Sequence, residues 1–275
     1  MADILKAILF GIVEGITEWL PVSSTGHLIL LDEFFPMQVS DAFSEMFEVV
    51  IQLGAILAVV VLFFKKLNPF GSAKTPEERK NTWSLWFRVI VAVIPSGVVG
   101  VLFDDWFNEK FYNPWVVAIA LILYGVAFIA IEKTRNPESI KIDSTGKITW
   151  RHALLIGFFQ ILAIIPGTSR SGSTILGAML FGLSRSAAAE FSFFMAIPTM
   201  AGASLVKVLK FATGEGNSLS GIEALVLAFG CLTAFLVSLA VIKYLMDYVK
   251  RHSFSAFGIY RIVLGAVVIA YFLIK

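Results

Sequence analysis

Six stretches of this chain leave little choice of fold: residues 47–64, 83–103, 115–131, 187–210, 222–246 and 254–274. A helix that crosses hydrocarbon needs about 20 predominantly apolar residues, and each stretch comes close to that length. With 57% hydrophobic and 15% charged residues and a mean hydropathy of +0.82, an ordinary water-soluble domain is excluded. The expected fold class is an all-α polytopic membrane protein with six spanning helices. A net charge of +2, with no basic run longer than Lys65-Lys66 inside the apolar pattern, argues against a nucleic-acid partner. The single cysteine, Cys231, excludes an intrachain disulfide framework and a cysteine metal cluster, and its apolar setting suggests packing. Glu14 and Glu18 interrupt the first apolar run, which therefore reads as part of the mature fold and not as a cleaved signal peptide.

Two further segments, 4–31 and 152–183, are apolar in bulk yet broken near the middle, at LPVSSTGH (Leu20 to His27) and IPGTSRSGST (Ile165 to Thr174). Irregular backbone at membrane depth is tolerated only where protein or a wet cavity surrounds it, so both read as re-entrant helical hairpins. Loop charges agree. The loops 65–82, with Lys65, Lys66, Lys74, Arg79 and Lys80, and 132–151, with Lys133, Arg135, Lys141, Lys147 and Arg151, belong in the cytoplasm, as does 247–253 with Lys250 and Arg251. The loops 32–46, 104–114 and 211–221 carry between them only Lys110 as a basic residue and belong outside. These sides alternate only if 4–31 enters and leaves from outside and 152–183 from the cytoplasm, which puts both termini outside.

Each half, about 1–131 and 152–275, is then one broken hairpin followed by three spans, joined by the cytoplasmic loop 132–151. Three is odd, so the second half lies upside down relative to the first: a single membrane domain built as an inverted-topology repeat. Pro21 to Ser24 (PVSS) echoes Pro166 to Ser169 (PGTS) at an offset of 145. The two tips are expected to face each other in the interior.

The polar residues of the breaks are costly in hydrocarbon and are read first as functional. Glu14 and Glu18, four apart, share one helical face. Two carboxylates so placed suit a divalent cation with oxygen ligands, Mg2+ or Ca2+; protonation, pairing with Lys or Arg, or an ion path are the alternatives. At the first tip Ser23, Ser24 and Thr25 precede Gly26 and His27. A serine near an imidazole can be an activated nucleophile, and Ser or Thr is equally a helix N-cap. His152 and His252 lie at basic loop edges and read as interfacial. At the second tip Arg170 is taken as the one arginine inside an otherwise uncharged membrane segment. Gly167 and Gly172 permit close backbone approach. Ser169, Ser171, Ser173 and Thr174 surround the guanidinium at a helix N-terminus, a combination that binds phosphate; a counter-ion role toward Glu14 or Glu18 is the alternative. Small residues at 54, 55, 177, 178 and 201–203 read mainly as close helix packing, with a lateral portal for a lipid tail as the alternative, and Trp83, Trp86, Trp106 and Trp115 as an interfacial belt.

EGITEWLPVSSTGH (Glu14 to His27) and PGTSRSGST (Pro166 to Thr174), together with FEVVIQLG (Phe47 to Gly54) and EFSF (Glu190 to Phe193), resemble the signature motifs of the undecaprenyl-diphosphate phosphatase family, the bacitracin-resistance proteins. The resemblance covers essentially the whole chain. It implies a multi-pass phosphatase of the bacterial inner membrane that removes the terminal phosphate of a C55-isoprenyl diphosphate, with its site opening to the outer face. The family's functional residues fall on Glu14, Glu18, Ser24, His27, Ser169, Arg170, Ser171 and Thr174. In the mechanism expected here, Arg170, Ser169, Ser171, Ser173, Thr174 and Thr25 hold the diphosphate and Glu14 and Glu18 hold the cation. Ser24 attacks with His27 as base; attack by His27 itself or by water is the rival. The partners expected are the polyisoprenyl diphosphate and membrane lipid, with a homodimer left open. A transporter or flippase of an anionic lipid is the competing class, since broken helices at the midplane serve both.

Overall fold

The computed structural model describes residues 1–111, 113–214 and 217–274. The described residues are helical almost throughout, and among them six helices are long and apolar enough to cross a membrane. These are α3 (Asp41–Leu62), α5 (Pro76–Phe111), α6 (Pro114–Thr134), α9 (Arg185–Thr213), α10 (Gly221–Arg251) and α11 (Ser255–Ile274). They fall on the six predicted apolar stretches, and α3, α5, α6, α9 and α10 begin earlier than those stretches, because caps and not hydropathy decide where a helix starts. Ser40 caps α3 by accepting from Phe43 N–H, Asn113 caps α6 ahead of Pro114, and Ser184 caps α9. At α10, Ser220 and Glu223 form a reciprocal capping box.

The two broken segments are helix pairs. The first is α1 (Ala2–Thr17) and α2 (Ser24–Phe34), followed after α3 by a single-turn α4 (Phe64–Leu67); the second is α7 (Trp150–Ile161) and α8 (Arg170–Leu180). An 11-residue helix such as α2 or α8 is about 16 Å long, roughly half the hydrocarbon thickness, so neither crosses alone. Each second helix opens with a serine N-cap in the left-handed region, Ser23 at φ +74° and Ser169 at φ +73°, and these are the non-glycine residues with positive φ among those described. Each cap hydroxyl accepts from a glycine amide three residues on, Gly26 at 3.3 Å and Gly172 at 3.1 Å.

This matched pair corrects the register read from the sequence. The structural offset is 146, Ser23 onto Ser169, and not the 145 of the PVSS and PGTS echo. The second tip has one more residue between proline and cap, and Gly167 absorbs it at φ +87°. Ser24 and Arg170 therefore occupy equivalent positions, the first residue of α2 and of α8. Helix pairing follows the same symmetry: α1 packs on α10 as α7 packs on α5, while α6 pairs with α11 and α3 with α9.

Backbone-to-backbone contacts set these pairings. A Cβ on Gly54 would lie 2.1 Å from the Cys231 carbonyl oxygen, one on Gly11 2.5 Å from that of Gly230, and one on Gly157 2.2 Å from that of Ala92. Gly177 meets the Phe159 ring, and Ala55 and Ala178 are fully buried, so packing is their use. Residues 201–203 are instead exposed on the outside of α9, because an apolar helix does not reveal in its sequence which face turns inward. Trp86 likewise departs from the interfacial belt: its indole N–H turns in to donate to Leu67 O at 2.7 Å, whereas Trp83, Trp106 and Trp115 remain exposed. Gly54→Val is expected to force α3 from α10 and lower stability by about 1–3 kcal/mol, the usual cost of overpacking; a thermal melt in detergent measures it.

The 132–151 connection is an ordered strap. Ile142 N–H donates to Gly182 O at 3.2 Å and Ile142 O accepts from Ser184 N–H at 2.7 Å. Arg185 donates to both carboxylate oxygens of Glu132, and one of them, Oε1, also caps α11 by accepting from Phe254 N–H at 2.8 Å.

Candidate active site

The two tips meet. From the first, Glu18 ends α1 and is buried, its side chain 5% exposed. From the second, Arg170 donates to Glu18 Oε1 through Nε at 3.2 Å and Nη2 at 3.0 Å. Ser24 Oγ donates to the other oxygen, Oε2, at 2.7 Å. Glu18 thus links the first residue of α2 to the first residue of α8. Both helices point their N-termini inward here, where unpaired amides and the helix dipole favour an anion.

Around this link the hydroxyls of the second tip fall into two groups. Ser171 Oγ reaches back to the first tip, donating to Glu18 O at 2.9 Å and Leu20 O at 3.2 Å, and lies 3.2 Å from Ser169 Oγ. Ser173 and Thr174, fully buried, donate to Arg170 O at 3.2 and 2.9 Å and hold the first turn of α8. Thr174 also shares a 2.6 Å hydrogen bond with Ser192 Oγ on α9, and Arg170 Nη1 donates to Ser192 O at 2.8 Å. Ser192 lies inside the EFSF motif, and its backbone is what aims the guanidinium. Thr25, half-buried, stands beside Ser24 in the first turn of α2.

Glu14 sits one turn before Glu18, fully buried, and neither of its carboxylate oxygens has a hydrogen-bond partner among the described residues. Glu48 of α3 adds a further negative charge within electrostatic reach. An orphaned carboxylate at this depth is costly, and a cation removes that cost, so the donor set fits an oxygen-ligated divalent ion. Among the described residues no three acidic, histidine or cysteine side chains cluster tightly enough to hold a metal alone. The remaining ligands would come from hydroxyls, water or substrate oxygens.

His27 is not brought to Ser24. Its Nδ1 lies 2.7 Å from Ser23 O, and its Nε2 lies 2.6 Å from the Tyr260 hydroxyl, with the two rings parallel. A carbonyl only accepts, so Nδ1 carries a proton, and in the neutral ring Nε2 then accepts from the Tyr260 hydroxyl. The imidazole pins the left-handed Ser23, and the group that accepts the Ser24 hydroxyl's hydrogen bond is Glu18.

Three participants escaped the sequence reading: Ser192, Tyr260 and Arg261. The last corrects an expectation, since Arg170 is not the one arginine in an apolar segment. Arg261 lies in the middle of α11 and is fully buried, and Arg88 lies within α5, donating to Ile148 O and to Gly146 O. The signal for Arg261 was its place seven residues inside the 254–274 stretch, where a charge is as costly as at either break.

A family model described as bacitracin resistance protein BacA matches residues 7–267. The chain is 58% identical to undecaprenyl-diphosphatase 1 of Clostridioides difficile, covering 99% of this chain and 97% of that protein. It is 54% identical to the undecaprenyl-diphosphatase of Enterococcus faecalis and 56% identical to that of Lactiplantibacillus plantarum, in each case over 99% of this chain and 98% of the relative. A match of this extent, spanning both tips and all six apolar helices, makes this chain a member of the BacA family of bacitracin resistance proteins.

Proposed function

We infer that this chain is an integral membrane phosphatase that converts undecaprenyl diphosphate to undecaprenyl phosphate and inorganic phosphate, recycling the lipid carrier for cell-wall synthesis and conferring bacitracin resistance. The observation that carries the reading is the Ser24–Glu18–Arg170 link across the two tips. It joins a nucleophile, a base and a phosphate-binding fork in one buried place. A transport pathway requires the fork alone.

Arg170 leaves Glu18 for the terminal phosphate, where its planar fork matches two oxygens, while the amides opening α2 and α8 face the remaining charge. Ser24 Oγ attacks phosphorus as its proton passes to Glu18 Oε2. The bond to the bridging oxygen breaks and undecaprenyl phosphate departs with the proton from Glu18; water then hydrolyses the phosphoserine, giving its proton to the carboxylate so restored and releasing inorganic phosphate and the Ser24 hydroxyl. His27 and Tyr260 hold the cap turn that presents Ser24. A divalent cation, Mg2+ or Ca2+, bound by Glu14 and Glu18 would neutralise diphosphate oxygens and leaving-group charge. The loop charges support an inverted repeat with both broken pairs re-entrant, both termini outside, and the site opening to the outer face of the bacterial inner membrane.

Purified protein in detergent is expected to release one phosphate per C55 diphosphate. Chelation is expected to cut the rate by at least about 100-fold, and Mg2+ or Ca2+ to restore it. A rate indifferent to chelator removes the cation, and no release under either condition removes the phosphatase.

A further inference from the structure

Helix α11 presents one narrow buried face, Gly258, Arg261, Gly265 and Val268, and α6 lies directly on it. A Cβ on Gly258 would be 2.7 Å from the Gly125 carbonyl oxygen, and one on Gly265 2.8 Å from that of Ala118. The two backbones touch on either side of Arg261, which fixes its height against the tips. Its guanidinium lies 5.4 Å from the Tyr124 ring centroid.

Its hydrogen bonds found among the described residues all go to backbone carbonyls. Nη1 donates to Pro21 O at 3.0 Å, in the first tip. Nη2 donates to Gly167 O at 2.8 Å and Thr168 O at 3.0 Å, in the second. Longer contacts of 3.4 Å run from Nε to Leu121 O and from Nη2 to Ala120 O, on α6. Pro21, Gly167 and Thr168 lie outside any helix, so their carbonyls lack helical partners, and backbone oxygens at this depth must find a donor within the protein.

We propose that Arg261 is a positioning residue that ties the two tips together and sets the spacing between Ser24 and Arg170. One rigid planar group satisfies carbonyls of both breaks at once, so neither tip moves without the other. A lysine keeps the charge but offers its donors from one point, and does not reach both tips. The rate consequence rests on the phosphatase reading above; the structural consequence does not.

The test compares purified R261K and R261Q with the wild type, by steady-state hydrolysis of C55 diphosphate and by hydrogen exchange of segments 20–27 and 165–172. For both variants kcat is expected to fall about 100-fold, the cost of a displacement near 1 Å. KM is expected to stay within about threefold, because Arg261 does not touch substrate. Deuterium uptake is expected to rise in both tip segments together and to stay unchanged in α3. Wild-type kcat in either folded variant, loosening of one tip alone, or a raised KM with kcat preserved would overturn the proposal. If neither variant is recovered folded, G265A decides: it keeps Arg261 but presses α11 off α6, and is expected to loosen both tips. Unchanged exchange at the tips in folded G265A overturns the clamp. Because exchange is read without turnover, absence of phosphate release by the wild type would sink the enzymatic reading and leave the clamp to be judged by exchange.

Discussion

Ser24→Ala is expected to abolish phosphate release from undecaprenyl diphosphate, with kcat lowered by at least about 10^4-fold, as for loss of a covalent nucleophile. The substitution removes one buried hydrogen bond, the 2.7 Å donation to Glu18 Oε2, at a stability cost of about 1 kcal/mol. Glu18 keeps both donations from Arg170, so the tips remain joined. A melting temperature close to wild type with turnover at background is the expected pair of results. Near-normal turnover would take the serine out of the chemistry and favour direct attack by water.

Arg170→Lys carries the second-largest effect, a fall of about 10^3-fold in kcat/KM, within the range that a phosphoryl-stabilising arginine contributes. Arg170 spends three nitrogens on two partners, Nε and Nη2 on Glu18 and Nη1 on Ser192 O. Lysine keeps the charge and loses the fork, so phosphate is held by one point and Glu18 is no longer aligned on Ser24. The lysine variant is the cleaner test. Alanine would leave Glu18 buried without its cation, at a cost of about 3–5 kcal/mol, and would confuse folding with catalysis. Vanadate inhibition should weaken in parallel with the rate. Wild-type vanadate affinity in Arg170→Lys would show that the phosphate is held elsewhere.

The spans were legible because burying a helix in lipid demands a length of apolar sequence that little else produces, and α3, α6 and α11 fall where hydropathy puts them. The breaks were legible because Pro, Gly and Ser have few other uses at that depth. What failed to show was anything decided by one residue of register or by the direction of a helix face. The extra residue at Gly167 moves the alignment from Ser24 onto Ser169 to Ser24 onto Arg170, and that step makes the proposed nucleophile and the arginine the matching first residues of α2 and α8. Ser24 and Glu18, six residues apart, meet only because the chain turns between α1 and α2; along a continuous helix they would point to different faces. The same turn gives His27 to Tyr260, from a helix 233 positions away. Arg261 was passed over because a mostly apolar stretch hides a single charge from averaging, although the intramembrane cost that singled out Arg170 applies to it equally.

Across the BacA fold the atoms that join the two tips are also those proposed to carry the chemistry. The strained serine caps, the Glu18 link and the orphaned Glu14 carboxylate are all expensive in a closed apolar interior, and the helix pairs that surround them, locked by Gly54, Gly11 and Gly157, keep them in place.

The most direct test of the account is to quench the wild-type protein during turnover of undecaprenyl diphosphate labelled in its terminal phosphate, and to map the label by peptide mass spectrometry under both acid and alkaline quench. Label on Ser24 is the predicted result. Label on His27, or no labelled residue together with near-normal turnover in Ser24→Ala, would contradict it.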